Sequence, residues 1–361
     1  MRKTMTSRER VLTALANQEP DRVPINYHAN GGINQRLLEH YGLTTGQGEE
    51  LRQRLGVDFR GIAAPYVGRK LHEDIPEQGV TVDNWGIHRR WIEHETGGYW
   101  DYCDFPLSEA TEETVAAWPM PSPDDHDFSH VHEICRRSAP HALFTGGAGL
   151  GDVINSTGML RTMEQTLVDL ITDDPVGLLL IRRRSEINLE TAQRTLEAAK
   201  GRIDFLWLGE DLGTQIAPIL SLELFRKHIR PIHQRFVDLA KAFDLPVIIH
   251  TCGSSSWAYE DFIEMGIDAV DTLQPEAANM SPEYLKATFG GRLAFHGCIS
   301  TAGPVATGNV QDTIEDCKRT LDVMKPGGGY CFAPTHALQD TSPTENVLAM
   351  YETARTYGAY A

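Results

Sequence analysis

The sequence predicts an α/β fold, a (β/α)8 TIM barrel of parallel strands with a β-hairpin inserted between strands two and three. Three observations predict it. Eight short apolar runs recur along the 361 residues, segments of helical length and periodicity separate the later runs, and polar residues able to do chemistry follow one run after another at its C-terminal end. The competing arrangement is an open doubly wound sheet, but no Gly-rich phosphate-binding turn follows the first run.

Taken in order, Ser7 is expected to cap a first helix; with Arg10 at the third helical position no capping box forms, and the helix should stop before Pro20. The candidate strands are 23–28, 57–63, 142–149, 205–210, 246–251, 269–273, 293–298 and 329–334. Apolar residues at Leu224, Phe225, Ile229, Ile232, Phe236, Leu239 and Phe243 predict a helix over 222–243, and further helices are expected over 259–265, 282–289, 310–324 and 345–357. Residues 65–128 break this rhythm. The runs around Trp85 to Trp91 and Tyr99 to Tyr102, separated by Gly97-Gly98, read as an antiparallel hairpin, a flap expected to hang over the barrel mouth of a single domain spanning 1–361.

Composition narrows the function classes. A hydrophobic content of 41% with 23% charged residues is that of a globular chain, and its aliphatic runs are too short to cross a bilayer. The first residues lack an apolar segment and a cleavage site, so cytoplasmic residence is the expectation. Six scattered cysteines do not read as a disulfide framework. A net charge of −17 repels nucleic acid and anionic membrane, which leaves small molecules or proteins as partners, with the oligomeric state open.

The most informative chemistry is His250-Thr251-Cys252-Gly253, which closes the run Val247-Ile248-Ile249. Imidazole and thiolate are zinc ligands, and residues two apart on an extended chain project to one side. Packing is the bland alternative for two such residues. A barrel rim, however, gathers residues distant in sequence, and the other strand ends supply Asn26 and His28, Glu210 and Asp211, Gln274, His296 and Cys298, and His336.

Several segments together resemble the uroporphyrinogen decarboxylase superfamily: Ser7-Arg8-Glu9-Arg10-Val11, Glu19-Pro20-Asp21-Arg22-Val23-Pro24, Glu210-Asp211-Leu212-Gly213-Thr214-Gln215, His250-Thr251-Cys252-Gly253, and Gly327-Gly328-Gly329-Tyr330 through Ala333-Pro334-Thr335-His336 to Glu345-Asn346-Val347. The resemblance covers nearly the whole chain. It implies a (β/α)8 barrel and one of two activities, metal-free porphyrinogen decarboxylation or zinc-dependent methyl transfer involving cobalamin. The His-x-Cys of His250 and Cys252 is closer to the methyltransferase branch, whose third ligand is usually a Cys near the end of strand eight. Here His336 falls in that region, with Cys298 as the alternative third ligand and Glu210 or Asp211 as a fourth. The decarboxylases carry an Arg- and Gly-containing segment after strand one, where this chain has only Arg36.

The resemblance therefore implies a methyltransferase moving a methyl group between a small methylated O-, S- or N-compound, or a thiol, and cobalamin held by a separate corrinoid protein, since no second domain is evident. Glu210, Asp211 and His28 are the candidates for handling protons, and Asn26, Tyr66, Gln215, Gln274 and His296 for binding substrate. Tyr66, Trp85, Trp91 and Trp100 of the flap are candidates for an aromatic wall, with packing as the alternative. A porphyrinogen decarboxylase and a non-catalytic binding barrel are the other readings, and bound zinc separates them from the first.

Overall fold

The computed structural model describes residues 4–95 and 97–360. Seven strands form one curled parallel sheet: β1 (Phe59–Gly61), β5 (Ala142–Gly146), β6 (Phe205–Gly209), β7 (Val247–His250), β8 (Ala269–Leu273), β9 (Ala294–Ile299) and β10 (Tyr330–Pro334), hydrogen-bonded in that order. The remaining strands, β2 (Val80–Val82), β3 (His88–His94) and β4 (Gly97–Cys103), make a separate antiparallel sheet within the 65–128 segment. The expected two-stranded hairpin is thus the larger part of a three-stranded sheet.

The predicted first strand, 23–28, is the element that departs most from regularity. Ile25 bridges Phe332 of β10, and its carbonyl accepts from the Asp58 N–H just ahead of β1, so the segment lies between the two edges of the curled sheet. It cannot extend into a full strand. Pro24 has no N–H to donate, and the Ile25 N–H goes to the Asp58 carboxylate at 2.8 Å rather than to a neighbouring strand.

Side chains alternate along the strands. Phe205, Ile248, Ala269, Ala294 and Cys331 meet inside the curl with Phe59 and Ala142, while Leu206, Val247, Ile249, Val270 and Phe295 pack outward under the helices. The N-terminal helix Ser7–Leu15 closes the N-terminal end through Val11, Ala14 and Leu15. Its cap is Thr6 rather than Ser7, because Glu9 lies three residues after Thr6 and completes a capping box with it. Ser7 instead donates its hydroxyl to Asp58, which Arg10 and Arg22 also bind, so part of the N-terminal pattern serves a buried charge cluster under the barrel.

The helices 259–265, 282–289 and 310–324 have the predicted bounds, as Tyr259–Met265, Pro282–Phe289 and Val310–Met324. The predicted 222–243 helix is interrupted by a π turn at Phe225–Ile229, ahead of Pro231. Proline lacks the N–H that the α ladder needs, and a widened turn absorbs the missing bond.

Candidate functional site

β7, β8 and β9 are in register such that His250 faces Asp271 and Asp271 faces His296. All three belong to the interior alternation set two residues earlier by Ile248, Ala269 and Ala294. Asp271 joins the two rings: one oxygen lies 2.8 Å from His250 Nδ1 and the other 2.6 Å from His296 Nδ1. Thr272 Oγ1 is also 2.7 Å from His250 Nδ1, reached through a backbone at φ 64°, where a β-branched residue costs on the order of 1–3 kcal/mol.

With Nδ1 engaged, His250 turns Nε2 toward Cys252 Sγ at 3.4 Å and Asp211 Oδ1 at 3.7 Å. The loops after β6 and β7 meet backbone to backbone, which brings Asp211 to this point. Gly253, at φ 71°, lies so close to the Gly213 carbonyl that a Cβ there would sit 2.1 Å from it, and Ser254 N–H donates to the Thr214 carbonyl. Asp211 accepts from the Cys252 N–H at 2.9 Å and from Asn155 Nδ2 at 2.8 Å. One ligand atom each from Asp211, His250 and Cys252 lies within 4.8 Å of the others.

The electrostatics suit a cation. Burial pushes the Cys252 thiol upward and the carboxylates of Asp211 and Asp271 push it further, so the sulfur stays protonated unless positive charge arrives. Burial acts to lower His250, but its bond to Asp271 outweighs that and the ring ends raised. An imidazole nitrogen, a sulfur and a carboxylate oxygen held this closely form a donor set that fits zinc with one position left for substrate.

A cavity of about 180 Å3 adjoins this cluster. His250, Asp271 and Thr272 form one part of its wall, Phe144 and Trp207 an aromatic part, and His28 and His336 the rest of its ring-bearing wall. His336 therefore reaches the cavity but stands outside the cluster, its ring 6.4 Å from that of His250. Burial first, and then the neighbouring His250, lower its pKa.

Other expected site residues lie elsewhere. Cys298 has the parity of His296, yet positive φ at Gly297 and at Cys298 itself breaks the alternation, and the thiol is buried in the helix-packed core beside a different cavity with Glu283. It is not part of the His250 cluster. Glu210 is fully buried and accepts from the N–H groups of Val153 and Ile154, capping the helix Ile154–Arg161 instead of facing the cavity. Gln215 is exposed, and its backbone carbonyl holds Ala278. Gln274 accepts from the Gly253 N–H at 2.5 Å, which supports the turn after Cys252.

Asn26 and His296 are buried behind the wall, 3.0 Å apart, and Asn26 continues to His28 Nε2 at 3.3 Å. The flap residues do not form the expected aromatic wall. Tyr66 bridges to His126 at a separate cavity, Trp85 lies under the Arg184 guanidinium, and Trp91 and Trp100 are about half exposed, packed edge to face across β3 and β4. Phe144 and Trp207 supply the aromatic surface instead. These two, Asp271 and Thr272 escaped the sequence reading; an aspartate inside the apolar run Ala269-Val270-Asp271-Thr272-Leu273 was the available signal, because a carboxylate is buried only when partnered.

Fold and site together define an α/β barrel with a cluster of groups able to hold a metal ion at the C-terminal ends of its strands. The family profile for uroporphyrinogen decarboxylase (URO-D) matches residues 110–357, and the chain belongs to that family. It is similar to the methylcobamide:CoM methyltransferase MtbA of Methanosarcina acetivorans, with 24% identity over 157 residues, which are 41% of this chain and 43% of that protein. Among solved structures, a methyltransferase from Methanosarcina mazei superposes over 98% of this chain and 100% of its own with a TM-score of 0.62 at 17% identity, a likeness of fold.

Proposed function

We propose that this chain is a zinc-dependent methyltransferase that moves a methyl group between a small methylated O-, S- or N-compound, or a thiol, and cobalamin borne by a partner corrinoid protein. The observation that carries the proposal is the convergence of Asp211, His250 and Cys252 beside a small, aromatic-walled cavity. The likeness to MtbA supports the same branch of the family.

Zinc bound at these three residues would supply Lewis acidity to an oxygen, sulfur or nitrogen of the substrate. His250 offers Nε2 because Asp271 holds its other nitrogen, an arrangement that sets both tautomer and ring orientation. Phe144 and Trp207 keep bulk water from the reacting atoms, and His336 is the group on the wall able to pass a proton.

Porphyrinogen decarboxylation is disfavoured by charge. Neither arginine nor lysine lines the cavity among the described residues. Arg36 binds the carbonyls of Asp340 and Ser342, and Arg60 pairs with Glu49. A substrate with many carboxylates would find no bidentate partner there.

Zinc analysis of protein purified without chelators tests the proposal, with about one ion per chain expected and little in Cys252→Ala. Methyl ethers, thioethers and methylamines are then presented with reduced cobalamin, and methylcobalamin formation is followed by visible absorbance. Zinc-free wild-type protein that decarboxylates uroporphyrinogen would replace this reading with the other activity of the family.

A further inference from the structure

Hydrogen-bond directions behind the cavity can be assigned without reference to any titration, starting from a backbone group that can only donate. The Tyr27 N–H donates to Asn26 Oδ1 at 2.8 Å, so the amide of Asn26 is oriented and its NH2 group faces the other way. That NH2 lies 3.0 Å from His296 Nε2 and 3.3 Å from His28 Nε2. Both ring nitrogens must then accept. In a neutral imidazole the proton sits on the remaining nitrogen, so His296 donates from Nδ1 to Asp271 and His28 carries its proton on Nδ1. Protonating His28 fully would set N–H against N–H.

The Nδ1–H of His28 has no hydrogen-bond partner among the described residues, and the ring lines the cavity. A second donor on the same wall also lacks a partner among the described residues, but its nitrogen is enclosed, whereas the His28 ring is exposed. Trp207 is 3% exposed, its indole N–H meets no acceptor, and its ring lies edge-on to that of His28, 6.2 Å between centroids. Of the two it is therefore His28 Nδ1–H, aimed by Asn26 and open to the cavity, that a ligand oxygen can meet. The oxygen is an uncharged one: the wall has no Lys or Arg among the described residues, and Asp271 forms part of it with Asp211 close behind.

We propose that His28, fixed as an Nδ1–H donor by Asn26 and His296, forms a second substrate subsite that binds an uncharged oxygen acceptor, so that the cavity selects small neutral oxygenated compounds over anions of the same shape. The proposal deepens the methyltransferase reading by naming the substrate class, and it rests on that reading only for the fate of the bound molecule. His28 acts here as a specificity residue.

The test uses the protein stripped of metal and three ring probes flat enough for the Phe144 and Trp207 walls: 2-methoxyphenol and 2-methylanisole, of nearly equal shape, and the slightly larger anion 2-methoxybenzoate. Histidine-selective 15N NMR of the wild type first assigns the His28 tautomer, which needs no variant. The expected result is an Nδ1-protonated ring whose signal moves on adding 2-methoxyphenol, with 2-methoxybenzoate bound more weakly than either neutral probe. His28→Phe is expected to weaken 2-methoxyphenol about five- to tenfold, the worth of one neutral hydrogen bond, and to leave 2-methylanisole within about twofold. An Nε2-protonated ring, equal losses for both neutral probes, or tighter binding of the benzoate overturns the proposal. Because binding is read without zinc or cobalamin, a protein that passes these tests yet transfers no methyl group sinks the methyltransferase reading alone.

Discussion

Ile248, Ala269 and Ala294 form one row across three neighbouring strands, and His250, Asp271 and His296 form the next row, two residues further along the same strands. Both rows face the inside of the barrel. The first is wholly apolar and closes against Phe59, Phe205 and the N-terminal helix, whereas the second is wholly polar and bonded to itself. One step of the pleat separates a packed floor from a reactive rim, so the strands can carry stability and chemistry independently. The polar row tolerates burial because Asp271 accepts from both imidazoles; burial alone would raise its pKa, but the two rings hold it far below the ordinary carboxylate range.

The contrast can be broken most severely by making the second row like the first. His250→Leu is expected to reduce bound zinc to background and abolish methyl transfer while the fold survives, checked by elemental analysis beside circular dichroism. Damage to the floor should do the reverse: Ile248→Ala is expected to cost about 2–5 kcal/mol in urea unfolding and to leave zinc stoichiometry intact under native conditions. A finer cut spares the ligands. Asp271→Asn keeps an acceptor for one ring only, and zinc affinity measured against a competing chelator should fall about 10–100-fold.

Behind the rim, Asp152 and Glu210 form a second buried acidic pair whose task is structural. Burial and then Glu210 hold Asp152 well above the usual range, and burial pushes Glu210 up to about 8. The folded chain thus binds protons that the unfolded chain releases. Their contribution is complete below the unfolded carboxylate value near 4 and is gone once pH has risen through the folded values, so stability should fall between about pH 4 and pH 8. Asp152→Asn should flatten that slope in thermal melts across the range. The smallest effect is expected on the flap, where Trp100→Ser removes a half-exposed ring and should change stability by no more than about 0.5 kcal/mol.

Local pattern was enough to locate most elements and to pick His250 and Cys252, because a strand's apolar run and its polar end are written in adjacent residues. It does not separate neighbours. Glu210 and Asp211 are adjacent in sequence, yet the first caps a helix and the second joins the cluster, since one lies at the end of the strand and the other past it on a loop held by Gly253. Asp271 was overlooked because its importance lies in its partners, on strands before and after it.

By itself the sequence determined the strand and helix rhythm, the absence of a phosphate-binding turn after the first run, and a His-x-Cys pair at a strand end, all of which depend on residues a few positions apart. Tertiary structure alone decided that Asp211 rather than Cys298 completes the cluster and that His336 stands back from it. It also chose Phe144 and Trp207 over the flap tryptophans as the cavity's aromatic wall. The reason is geometric: two residues with positive φ turn the Cys298 thiol out of the barrel, and curling of the sheet, which no local pattern encodes, selects which side chains converge.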